Sequence, residues 1–418
     1  MDTIGARLRI VTICHAVTGL LTAVWGAGLP ALDARLDLGP ATIGAMLLLV
    51  AGGALVTMRL AGRVHRSGGW MLSLALPSAG IALVVAGSAP TSVVLFLAAA
   101  LFGLSCGVVN VALSSEAMAV ESAIGRPVIA RMHGFWTLGA AGGGMLLAAA
   151  LNAGLDSRIA ISGAAGVIVL TSLGIGPRIR AGAAAHPSRP PVPETSAASA
   201  SASSAQISRL HLAALGLVGA AVFLTEGAAT DWSGVHTTRM LGADPAIGSV
   251  VYGVFFSAMT VVRFCGDALR RRLGPVRTVR ITMSVAVAGY ALVLATGLVP
   301  TEPTVIVTAV IGWALAGAGS ALVWPIVIGH LATAGETRRN LAFVTMISYG
   351  GGLLGPAVIG FLAQATSLSI ALVLPAALAL LVAVAAPATM RPPRVRRATS
   401  SPSATSSMST TSITRSTS

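Results

Sequence analysis

The chain contains no lysine, and charged residues of every kind fill only 10% of its 418 positions. A soluble domain carries roughly a quarter charged residues, so a water-facing surface is excluded before any motif is considered. Aromatic residues are scarce too, and the three cysteines (Cys14, Cys106, Cys265) fall in or beside apolar runs without paired spacing. Cysteines so placed support neither a disulfide framework nor a metal site; they behave as small buried residues. There is no His-Glu-x-x-His, no phosphate-binding loop and no Cys/His cluster. Zinc hydrolysis and ATP-driven work therefore have no motif to rest on, and no cofactor or metal is expected.

What the chain does have is hydrophobicity, at 55% of its residues. Apolar runs bounded by Gly, Pro or charge recur at about 8–28, 40–60, 70–89, 91–114, 133–153 and 158–177. After a polar stretch they return at about 210–230, 245–265, 278–299, 303–329, 341–364 and 367–388. Each is long enough to cross a bilayer, which needs about 20 residues per helix. The expectation is an all-α integral membrane protein of twelve transmembrane helices. Residues 1–177 form a first six-helix bundle, 178–208 a disordered cytoplasmic linker rich in Ala, Ser and Pro, and 209–390 a second bundle. Residues 391–418 form a basic and then Ser/Thr-rich tail. The first apolar run, reaching Leu29, is too long for the core of a cleavable signal.

A formal net charge of +14 invites a nucleic-acid reading. Nucleic-acid binders gather their basic residues on a soluble face, whereas here every basic residue is an arginine placed mostly in the gaps between apolar runs. No nucleic-acid partner is expected. With twelve spans and the N-terminus inside, 24 of the 27 arginines fall on the inner side; only Arg35, Arg158 and Arg239 fall outside. Cytoplasmic loops keep such an excess, which puts both termini in the cytoplasm and the chain in the cytoplasmic membrane.

The loop after the second run reads Arg59-Leu60-Ala61-Gly62-Arg63 and continues through Arg66 to Gly69. The loop after the eighth reads Arg263-Phe264-Cys265-Gly266-Asp267 and continues through Arg271 to Gly274. Two halves built on one plan are common among secondary transporters. On these loops the chain resembles the major facilitator superfamily, whose loop between the second and third helices carries a Gly-x-x-x-Asp-Arg-x-Gly type of signature. The first copy here lacks the Asp, with Arg66 at or beside its place, while Asp267 supplies an acid in the second. Two longer stretches, Gly103–Gly139 with its Asn110, Glu116 and His133-Gly134-Phe135-Trp136, and Glu226–Ser233, are similar to a bacterial branch near the fucose permease-like proteins. The resemblance implies two pseudo-symmetric six-helix bundles around a central cavity lined by the first, fourth, seventh and tenth helices.

Ionisable groups inside a bilayer are costly and are functional candidates by default. Glu226 is the one acid clearly within a run and is a candidate proton carrier. The resemblance sets Asn110 near the path as well, and His15 in the first run is a further substrate or proton candidate. Trp313 and Trp324 in the tenth run are candidates for stacking on a sugar-like ring. His133 is expected to gate at a helix end, and Asp231 and Trp232 to anchor at the outer interface. Glycines at 139 and 142–144, and again at 350–352, 355 and 360, suit helices that pack closely and rock. Gly103-Leu104-Ser105-Cys106-Gly107 fits a hydrolase pattern, but that chemistry needs a strand–turn–helix elbow.

These features together imply a monomeric secondary transporter, not an enzyme, that moves a small molecule by alternating access with proton coupling. Nearness to fucose permease-like proteins favours a sugar-like solute; an exporter of drug-like compounds is the alternative within the class. A membrane sensor and an intramembrane hydrolase stand outside it.

Overall fold

Backbone N–H and C=O groups find no water inside a bilayer, so a chain this apolar must satisfy them along its own helices. The computed structural model describes residues 3–64, 67–126, 128–185, 208–299, 303–333 and 338–390, and among them every regular element is helical. The first half contains α1 (Thr3–Gly26), α2 (Leu29–Leu36), α3 (Gly39–Ala61), α4 (Gly68–Ser88), α5 (Ser92–Ile124), α6 (Ile129–Asn152) and α7 (Ser157–Ala185). The second contains α8 (Arg209–Leu241), α9 (Pro245–Ala295), α10 (Pro303–Ser320), α11 (Val323–Thr333), α12 (Arg338–Ala365), α13 (Leu368–Ala371) and α14 (Val373–Thr389).

Among the described residues, eleven helical segments are long and apolar enough to cross a membrane, with α1–α2, α10–α11 and α13–α14 each counting as one. The twelfth crossing lies inside α9. Its 51 residues would extend about 77 Å as one straight helix, more than twice the ~30 Å hydrocarbon core. The axis breaks at Gly274, where φ is 75° and ψ is 165°, and Pro275 begins the next crossing. That backbone conformation is essentially restricted to glycine. The eighth and ninth spans are thus joined by one residue instead of a loop.

Three boundaries differ from expectation. α5 continues ten residues beyond the fourth apolar run and stops at Gly125, a left-handed C-cap. α8 continues through Asp231 and Trp232 to Leu241. α7 passes through Pro177 and runs to Ala185, so the first eight residues of the expected linker are helical. The rest of that linker (186–207), the tail from 391 and Arg66 lie outside the described residues.

Helices pack through glycine. A methyl group on Gly103 would collide with the Val50 carbonyl and one on Gly107 with the Ala54 carbonyl, so these residues set α5 against α3. The hydrolase-like pattern is therefore a helix-packing stripe four residues apart.

Replacing Gly274 with Ala should cost about 1–3 kcal/mol through the forced φ/ψ and lower the melting temperature in detergent. Gly163→Ala, at a helical site that meets no neighbour, should leave it nearly unchanged.

Candidate functional site

The end of the bundle where α1 begins is here the amino end, and the end where α1 gives way to α2 is the far end. Between the two halves lies a cavity of about 470 Å³. Its walls follow helical spacing. α1 contributes His15, Thr18 and Thr22; α5 contributes Cys106, Asn110, Ser114 and Met118; α8 contributes Phe223, Glu226, Thr230 and Asp231. His133 and Trp136 of α6, Arg263 of α9, Trp324 of α11 and Tyr349 of α12 complete it. The α5 wall descends to the exposed Met118, and Ile129 at the start of α6 also lines the space. The cavity therefore reaches the amino end.

The far end is closed by contacts between the halves. Arg239 of α8 donates to both carboxylate oxygens of buried Asp33 on α2, its Nη2 at 2.8 Å, and Nη2 reaches Asp37 at 3.3 Å. Two parallel bonds to one carboxylate give such a pair its geometric specificity. Beside it the Ser249 hydroxyl donates to the Ala27 carbonyl at 2.8 Å. Pro30 lies against Gly234 and Gly248, and Gly44 of α3 against Gly360 of α12.

Within the cavity, hydrogen bonds to the local backbone orient the polar side chains. His15 Nδ1 donates to the Val11 carbonyl at 2.8 Å, Thr18 to that of Cys14 and Thr230 to that of Glu226. Asn110 donates through Nδ2 to Cys106, which leaves its Oδ1 available to a ligand. The His15 and His133 rings meet edge to face, 5.6 Å apart. Phe223 lies between Trp324 and Tyr349, at ring separations of 4.8 and 5.1 Å, forming an aromatic wall on the second half.

Charge is concentrated on the second half. Glu226 and Arg263 approach to 3.7 Å, and Arg263 Nε also donates to the Ala321 carbonyl. Asp231 lines the same space. The lining thus holds two carboxyl groups and one guanidinium, which cannot lose its proton in a protein.

His15, Asn110, His133, Glu226 and Trp324 come together on the cavity wall. Trp313 does not: it is fully buried, edge-on to Tyr290 and His236, because its face of α10 turns toward α8 and α9. Arg263 belongs to the cavity and not to a surface loop, since it precedes the Gly274 break by eleven residues, about 16 Å of helix. Asp231 is ten residues short of the end of α8 and lines the cavity, not an interface. Trp232 is buried and donates to the Pro356 carbonyl. Gly62 caps α3, Gly69 packs on Ile179 and Ala183, and Gly266 packs on Leu322, while Asp267 and Arg271 are exposed.

A further pair was not anticipated. Arg7 of α1 donates to Glu116 of α5 at 2.7 Å, both buried, so Glu226 is not the one acid within a span. The continuation of α5 to Ile124 carries Glu116 into the fourth span, and no local sequence pattern ties it to Arg7.

No family model matches the chain. It is 30% identical over 362 residues to an MFS-type transporter of Yersinia pestis, covering 85% of this chain and 88% of that one. It is 30% identical over 378 residues to a transporter of Sinorhizobium fredii, covering 88% and 93%. The membrane protein MosC of Rhizobium meliloti is 26% identical over 87% of its length and 88% of this chain. Among solved structures, a point mutant of the nucleoside transporter NupG superposes with a TM-score of 0.68 at 14% identity, covering 91% of this chain and all of that one. A bacterial homologue of the human lysosomal transporter Spinster, inward-facing and occupied, gives 0.58 at 14% identity over 92% and 96%.

Asp33→Asn should loosen the far end. Cys106 on the cavity wall is the reporter, in a Cys265→Ser background. A membrane-impermeant maleimide should label it from the amino-end side only in that background, and from both sides once Asp33 is replaced.

Proposed function

Because the chain belongs to the major facilitator superfamily, we propose that it is a secondary active transporter that moves a small, ring-bearing polar solute by rocking its two halves. The observation that carries this reading is a cavity walled by both halves, bonded shut at the far end and reaching the amino end. Arg59, Arg63, Arg126, Arg131, Arg271 and Arg272 lie at the amino end, and such an excess marks the cytoplasmic side; on that basis the conformation is inward-facing.

The solute class follows from the lining. An aromatic wall of Phe223, Trp324 and Tyr349 faces hydrogen-bonding groups on α1 and α5, which suits a molecule with one flat apolar face and several hydroxyls. Sugars fit that description; the likeness to NupG adds nucleosides to the compounds worth screening. The same aromatic wall supports export of an amphipathic metabolite as the second reading.

Protons are the proposed coupling ion. When Glu226 is ionised it holds the Arg263 guanidinium, and a proton on Glu226 releases Arg263 to hydrogen-bond the solute. Loading of proton and solute is then linked at one pair of side chains.

A thermal-shift screen of the purified protein against sugars, nucleosides and common antibiotics should identify a stabilising ligand. In proteoliposomes an inward gradient of that ligand should drive a pH change, and Glu226→Gln should reduce it to background while ligand binding persists. Undiminished proton movement in the Gln variant would sink the Glu226 assignment.

A further inference from the structure

The reversal at Gly274 borders a groove of about 400 Å³ at the amino end of the second half. Leu273, Val276 and Pro387 give it an apolar lining, and Arg277 and Arg280 bring charge to it. A methyl group on Gly274 would meet nothing within 4 Å, so the groove is open on that side. Both arginines are exposed, and no ion pair or hydrogen bond of either guanidinium occurs among the described residues. Arg277 is moreover the third residue of the stretch that Pro275 begins, and the dipole at a helix's first turn favours anions over cations. The cytoplasmic excess of arginine calls for basic residues in this region. It does not call for two of them on one groove, set against a helix dipole. An anion meeting both would answer the charge and the dipole together.

What continues from the groove identifies the carrier of that anion. Beyond Arg277, Ile281, Ser284 and Ala288 follow at helical spacing and are exposed. On α14, Val384 and Leu380 continue the face of Pro387 and are exposed as well. α9 and α14 pack against one another and share the groove, so both stripes lead from it into the bilayer. Arg277 to Ala288 spans eleven residues, about 16 Å of helix. One leaflet contributes about 15 Å of the hydrocarbon core. The matching ligand has an anionic head and an apolar chain one leaflet long. The chain's own tail starts just after α14, but it opens with Arg391, Arg394, Arg396 and Arg397, whose charge Arg277 and Arg280 would repel.

We infer that this groove is a binding site for an anionic phospholipid, its phosphate on Arg277 and Arg280 and its acyl chain along the exposed stripes. Basic pockets between transmembrane helices on the cytoplasmic side take anionic headgroups in this way. The inference needs only the membrane-spanning fold, so it stands or falls apart from the transport reading. A lipid held here touches both α9 and α14, and ties the second half to one leaflet.

The test titrates phosphatidylglycerol into the full chain in detergent and counts bound lipid by native mass spectrometry. Arg277→Gln combined with Arg280→Gln should raise the apparent Kd about thirtyfold, at roughly fivefold per arginine. Arg271→Gln combined with Arg272→Gln removes the same charge from exposed positions outside the groove and should leave the Kd unchanged. Pro387→Trp fills the groove from α14 without altering charge. It should weaken binding too, which keeps the test decisive if the first double variant does not fold. Equal losses in the two double variants would reduce the site to diffuse surface charge and overturn it, as would a Pro387→Trp variant that binds as before. Equal affinity for phosphatidylcholine, whose headgroup is net neutral, or displacement of the lipid by inorganic phosphate would overturn the anionic phospholipid as the ligand.

Discussion

A charge inside a bilayer has three places to go: a partner, a water-filled space, or the interface. In this chain each in-span charge that the structure describes uses one of them. Arg7 and Glu116 pair with each other in the first half. Glu226, Arg263 and Asp231 turn toward the cavity. Asp33 and Arg239 meet at the far end, where Arg239 keeps partial contact with water. The polar map of the molecule is therefore a map of where water and partner helices reach. The lipid-facing remainder stays apolar, with Leu146, Leu170 and Val384 among its exposed side chains.

This distribution separates interactions by whether they cross between the halves. Glu226–Arg263 and Trp232–Pro356 lie within the second half, and Arg7–Glu116 lies within the first. These hold each half together. Asp33–Arg239 and Ser249–Ala27 bridge the halves at the far end. They are the bonds that a state open at the far end has to give up. Arg239 is about a third exposed but Asp33 is buried, so parting the pair leaves the carboxylate uncompensated unless water enters with the opening.

Much of the fold was legible in the sequence because hydrophobic runs and arginine placement are imposed directly by the bilayer. The division into six and six was visible on that basis, whereas the loop expected over Arg263–Gly274 is helix with its reversal at Gly274 alone. The ends of helices were less so. The polar stretch from Asp231 to Arg239 resembles a loop, yet it remains helical because its partners are protein and cavity instead of lipid. Arg263 was hidden for the converse reason: an arginine a few residues from a basic cluster counts as loop charge until the helix axis is known. Trp313 and Trp324 share a span and a composition, and periodicity alone does not say which one faces the cavity. Ion pairs between residues more than a hundred positions apart, such as Arg7–Glu116, leave no local pattern at all.

The single-residue reversal at Gly274 has a mechanical consequence. Arg270, Arg271, Arg272, Arg277 and Arg280 sit on two helix ends joined without slack, so their charges are fixed in position relative to both crossings. A flexible loop would let such charges stay with the anionic headgroups while the helices slid past. Here the charges and the helices travel together, and the second half is ballasted at one membrane face. Sinking through that face would carry those charges into hydrocarbon, whereas a tilt about it would not.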